Sequence, residues 1–105
     1  MDIKIELGDI LKLIRISHFK SVKEVAELSK VSSAYICDVE AGKKKISISI
    51  LEKLSQVYGI KTSQIMLLTE YSASLSEEDN VVKKRLILFK ILEMSFRDNS
   101  DKDNK

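Results

Sequence analysis

The chain has no proline, no tryptophan, one cysteine, one histidine and three glycines in 105 residues. With so little turn-forming material, helices joined by short polar connections are the default, and the fold class expected is all-α. A lone cysteine permits no internal disulfide, and a single histidine leaves the chain without the ligand cluster of a structural zinc site. Both features fit a reducing compartment. The longest strongly apolar runs, Ile65 to Leu68 and Leu86 to Phe89, fall far short of the ~20 residues that span a bilayer. Met1 to Leu7 mixes lysine with acids and lacks the form of a signal peptide. A cytoplasmic protein without membrane contact is expected.

Catalytic material is equally sparse. The glycines stand at positions 8, 42 and 59 and build no phosphate loop. His18 has no nucleophile or carboxylate placed to form a triad with it, and the carboxylates are scattered as on solvated helix faces. The chain is not read as an enzyme, and no catalytic residue, metal or cofactor is assigned.

What the chain does have is length for one domain, a 44% hydrophobic content and 32% charged residues. Eighteen basic against sixteen acidic side chains give +2, too small a bias to announce a nucleic-acid binder. That average hides a division. Residues 1–69 carry eleven basic and eight acidic side chains, net +3, whereas 70–105 carry seven and eight, net −1.

Apolar residues alternate with polar ones in 1–6, read as a lead-in, and from Leu7 the spacing lengthens to three and four (Leu7, Ile10, Leu11, Ile14), the pattern of a helix ending near His18. Ser21 and Glu24 have capping-box spacing for a second helix over 22–29. Ser32 caps a third, through about Ala41, and Gly42 can take the positive φ that ends it. Ser47 caps a fourth helix to about Tyr58, with Ile46 and Leu51 as a hydrophobic staple and Gly59 as the stop. A short fifth helix covers 63–69. Residues 70–80 read as a linker, with Ser76 and Asp79 as a capping pair for a sixth helix over 77–96, apolar from 81 onward. Residues 97–105, without an apolar side chain, read as a disordered tail.

The second and third helices are too short to be stable alone and must pack crosswise on the others, which is a helix-turn-helix plan. At 100° per residue, Ile36, Val39 and Glu40 share one side of the third helix. Ala34, Cys37, Asp38 and Ala41 share the other, with Ser33 at the amino-terminal end, where such helices reach base edges in a major groove.

Leu7-Gly8, Ile14-Arg15, Ser21, Ala26, Val31-Ser32, Ile36, Val39-Glu40, Gly42 and Leu51-Glu52-Lys53-Leu54, at this joint spacing, resemble the Xre/Cro/cI-type helix-turn-helix regulators over about residues 7–69. The resemblance implies a five-helix, lambda-repressor-like DNA-binding domain with the third helix in the major groove. It also implies an ion pair between Arg15 and Glu40. The chain departs from the family at Val22, where a glutamine is usual, at Phe19-Lys20 in place of Gly-Leu, and at Ile46 in place of proline. Phe19 is expected to fill a core position and Ile46 to keep the staple.

The face expected in the groove has no side chain that donates to guanine. Asp38 is open to three readings: an acceptor for a cytosine amino group beside Ala34 on a thymine methyl, a carboxylate held by a neighbouring lysine with specificity drawn from DNA shape, or a sign that the helix binds protein. Lys43, Lys44 and Lys45, with hydroxyls and amides of Ser32, Ser33 and Tyr35, are the expected phosphate contacts. Cys37 lies on the same face, as a small half-buried residue or an oxidisable one.

On the sixth helix Val81, Val82, Leu86, Leu88, Phe89, Leu92 and Phe96 form a broad arc opposite Ile87, Ile91 and Met94. A helix so apolar all round needs covering on both sides, and a domain of ~60 residues covers one. Val82, Leu86, Leu88, Phe89, Leu92 and Phe96 are expected to meet a second copy. The function expected is a homodimeric regulator of transcription, a repressor, on double-stranded DNA with an inverted-repeat operator. The alternative is an antitoxin-like or other interaction module whose helix-turn-helix or last helix grips a partner protein.

Overall fold

The computed structural model describes residues 6–75 and 79–103, with side chains through Met94. All regular structure among them is helical: α1 (Leu7–Ser17), α2 (Val22–Ser29), α3 (Ser33–Glu40), α4 (Ile48–Tyr58), α5 (Thr62–Ser74) and α6 (Asn80–Asp103).

Local chemistry sets the helix starts. The Glu24 amide donates to Ser21 Oγ at 3.1 Å and the Ser21 amide to the Glu24 carboxylate at 3.0 Å, which also holds that carboxyl below its usual pKa. Ser32 accepts from the Tyr35 amide at 3.2 Å and Ser47 from that of Ile50 at 3.3 Å. Asp79 takes the amides of both Val81 and Val82 for α6; Ser76, its expected companion, lies outside the described residues, as do residues 1–5. Gly42 and Gly59 adopt the positive φ expected of them, 76° and 67°.

The stripe Ile10, Leu11 and Ile14 of α1 is fully buried at the centre of the fold. Around it close Val25 of α2, Ile36 and Val39 of α3, Leu51 and Leu54 of α4, and Ile65 and Leu68 of α5. Burial of each such side chain contributes about 1.5–3 kcal/mol. Ile46 and Leu51, the expected staple, both adjoin this cluster.

At Gly8 the backbones of α1 and α3 nearly touch. A Cβ there would collide with the Val39 carbonyl and stand 3.4 Å from Glu40 Cα. Alanine in place of helical glycine ordinarily gains about 1 kcal/mol. Here the obstacle is backbone, and overpacking costs about 1–3 kcal/mol, so Gly8→Ala is expected to lower the urea midpoint. A raised midpoint would contradict the close approach.

Phe19 corrects an expectation. It does not fill the core: its side chain is 93% exposed, and its backbone takes the left-handed φ of 55° that closes α1. The turn requires the conformation that the family's glycine supplies, and a Cβ makes it cost roughly 1–2 kcal/mol. Phe19→Gly should therefore stabilise the fold, by about 1 kcal/mol once the extra freedom of unfolded glycine is counted. Differential scanning calorimetry should show a raised Tm, and an unchanged or lower Tm would place the backbone elsewhere.

The carboxyl-terminal boundaries also differ. Residues 70–74, expected in the linker, continue α5. Ser72 is 2% exposed, and the Tyr71 ring receives the Lys90 ammonium of α6 at 5.6 Å from its centroid. α6 begins at Asn80 and continues to Asp103, through most of the segment expected to be a disordered tail. Once a helix is nucleated, extending it needs no apolar face. α6 lies against α1 and α5 and buries Ile87 and Ile91 completely. It thereby completes the core as a sixth wall.

Candidate nucleic-acid interface

The turn between α2 and α3 is built from three residues. Lys30 closes α2 in the left-handed conformation, φ 64°, and Val31 is buried behind it. Ser29 Oγ donates to the Val25 carbonyl at 2.7 Å and accepts from the Val31 amide at 3.3 Å, so the reversal is fastened from inside. α3 then leaves with Ile36 and Val39 turned into the core and Ser33, Ala34, Cys37 and Ala41 exposed. Ser32 is exposed at its start, and Tyr35 and Asp38 are half-buried along one edge. The wheel drawn from the sequence is the one the fold adopts.

Its orientation is held by Arg15. Nε donates to Glu40 Oε2 at 2.8 Å and Nη2 to Oε1 at 3.0 Å, while Nη1 donates to the Lys20 carbonyl at 2.9 Å. The two side chains are only 13% and 8% exposed. One guanidinium therefore ties α1, the last residue of α3 and the turn entering α2. The Glu40 hydrogen bond raises Arg15's pKa against the opposing effect of burial. Tyr58 is buried nearby, its ring centroid 5.7 Å from that of His18; desolvation first, then the Glu40 charge, push its hydroxyl well above the usual range. His18 Nδ1 lies 2.8 Å from the Ile14 carbonyl, the position of a helix-end residue.

The three lysines after α3 are exposed but not equivalent. The amides of Lys43 and Lys44 both donate to the Asp38 carbonyl, at 2.8 and 3.3 Å. The Tyr35 hydroxyl donates to the Lys45 carbonyl at 3.4 Å. Lys44 Nζ stands 3.6 Å from Asp38 Oδ2 and 5.7 Å from the Tyr35 ring centroid. The neighbouring lysine that the second reading of Asp38 invokes is therefore Lys44. Tyr35, expected only as a phosphate contact, is also a loop anchor. No residue pattern signals this, because the bond depends on the path of the loop that follows α3.

Among the described residues no three His, Cys, Asp or Glu side chains gather into a metal site, and no helix is long and apolar enough to cross a membrane. Cys37 is exposed on the outward face of α3.

The transcriptional regulator ClgR of Mycobacterium tuberculosis, in strains CDC 1551 / Oshkosh and ATCC 25618 / H37Rv, is 26% identical over 61 residues, 58% of this chain and 54% of the relative. The chain thus spans about half the length of the curated relatives it matches. No solved structure matches it. The helix-turn-helix family matches residues 11–65, from the middle of α1 into α5, the segment that carries the capped turn, the outward face of α3 and the Arg15–Glu40 pair. The chain belongs to this family, the Xre/Cro/cI-type helix-turn-helix proteins.

Proposed function

We propose that the protein is a transcriptional regulator that binds double-stranded DNA as a homodimer and represses by occupying its operator. The observation that carries this reading is α3 itself. Its apolar residues are spent in the core, and its outward face of Ser33, Ala34 and Cys37, small enough to approach base edges, is flanked by Ser32 and Tyr35 and by the basic loop Lys43, Lys44 and Lys45. Asp38 stands between face and loop. The M. tuberculosis relatives, transcriptional regulators by name, support the same reading.

Dimerisation is supported by what α6 leaves uncovered. With Ile87 and Ile91 in the core, Val81 (60%), Phe89 (69%) and Leu92 (46%) are exposed, beside half-buried Val82, Leu86 and Leu88. The side chain of Phe96 lies outside the described residues. A dimer that reads two half-sites has to set its α3 helices about 34–36 Å apart, on successive major grooves.

Two measurements test the reading. Titration of the full chain into a labelled duplex at low salt should show binding that weakens steeply as salt rises. Light scattering should show a dimer, and Phe89→Glu with Leu92→Glu should give a folded monomer with much weaker binding. No binding at low salt would contradict the DNA reading and favour the protein-interaction alternative. A double variant that stays dimeric would remove α6 from the interface.

A further inference from the structure

An acidic side chain beside a surface that meets phosphates needs an explanation, and the basic loop supplies one. Five contacts bind Lys43, Lys44 and Lys45 to α3, and all five come from Tyr35 and Asp38, one helical turn apart. The Asp38 carbonyl takes the amides of Lys43 and Lys44. The Tyr35 hydroxyl reaches the Lys45 carbonyl. The Asp38 carboxylate lies 3.6 Å from Lys44 Nζ, and the same ammonium stands 5.7 Å from the centre of the Tyr35 ring. Lys44 is thus the lysine of the three with two partners inside the protein. Lys43 and Lys45 have their backbones fastened by α3 and make no side-chain ion pair among the described residues.

We propose that Asp38 and Tyr35 are positioning residues that clasp Lys44 and thereby fix the loop, so that of its three lysines Lys43 and Lys45 contact the DNA backbone, Lys44 does not, and Asp38 does not read a base. The inference rests on the DNA-binding reading. The clasp makes a carboxylate tolerable here, because the Asp38–Lys44 pair is neutral as a unit. Two ordered cations also lose less freedom on meeting phosphates than a mobile run of three would.

The salt dependence of affinity decides the matter, since each phosphate contact contributes about 0.9 to its slope on duplex DNA. The probes are a mixed-sequence duplex and the protein's own selected duplex, titrated with the full chain across a salt series. Lys43→Ala and Lys45→Ala should each flatten the slope by about 0.9. Asp38→Asn frees Lys44 and should tighten binding, with a slope steeper by up to about 0.9. Lys44→Ala leaves Asp38 unpaired beside the phosphates and should weaken binding severalfold, without the loss of about 0.9 in slope that a removed phosphate contact gives. Asp38→Asn combined with Lys44→Ala should return the slope to wild type while affinity stays below it, because the loop has lost its clasp.

A double variant whose slope falls by about 0.9 would place Lys44 on a phosphate and overturn the proposal. So would an Asp38→Asn variant that binds its selected duplex more weakly at unchanged slope, the result of a lost base contact. In both cases the DNA-binding reading survives. A wild-type chain that binds neither duplex at low salt overturns the two together.

Discussion

Glu40→Ala is expected to cost about 3–5 kcal/mol of folding stability, because it strands the Arg15 guanidinium, 13% exposed, without its bidentate partner. A domain of this size has only about 5–15 kcal/mol in total, so the variant should be largely unfolded at a urea concentration the wild type withstands. The pair itself need not be a net source of stability, since two charges removed from water cost much of what they gain. Arg15→Met together with Glu40→Leu should therefore recover most of the loss, although the Lys20 carbonyl would forfeit its donor. Urea unfolding monitored by circular dichroism checks both variants. A loss below about 1 kcal/mol for Glu40→Ala would put the pair in the class of exposed surface bridges. DNA binding should fall further than stability alone explains, because Glu40 closes α3 and Arg15 holds it to α1.

Ile87→Ala is expected to cost about 2–5 kcal/mol, the range for a buried isoleucine whose cavity relaxes only in part. Ile87 is 0% exposed where α6 meets α1 and α5. Phe89→Ala, two residues on at 69% exposure, should change monomer stability little. The contrast separates the two faces of α6, and equal losses in thermal melts at low protein concentration would contradict the assignment. The same geometry changes how dimerisation should be tested. Removal of α6 after Ser74 would uncover α1 and α5 and damage the domain itself, so polar substitutions on the outward arc are the informative variants.

The parts of the fold set by nearest neighbours were legible in the sequence. Ser21 with Glu24, Ser32 and Ser47 cap where their spacing says they should, because a cap is a contact over three residues. Gly42 and Gly59 stop helices for the same local reason. The outward face of α3 followed from helical period alone, and the Arg15–Glu40 pair from the resemblance. Contacts across the chain were less readable. A helix apolar almost all round does not say which flank meets α1, so the burial of Ile87 and Ile91 had to come from packing. Tyr71 and Ser72 belong to α5 through tertiary contacts that a small, polar composition conceals. Phe19 misled because an apolar side chain suggests burial, whereas the turn there is decided by backbone handedness. The grip of Tyr35 and Asp38 on the lysine loop needs the loop's path, which residue types do not encode.

The central claim is that α3 reads duplex DNA in a two-fold dimer, and selection of bound sequences from a random duplex pool tests it most directly. Enrichment of an inverted repeat with half-site centres one helical turn apart is the result expected from paired α3 helices. Failure to enrich any sequence, at salt low enough for weak phosphate-driven binding to register, would contradict it.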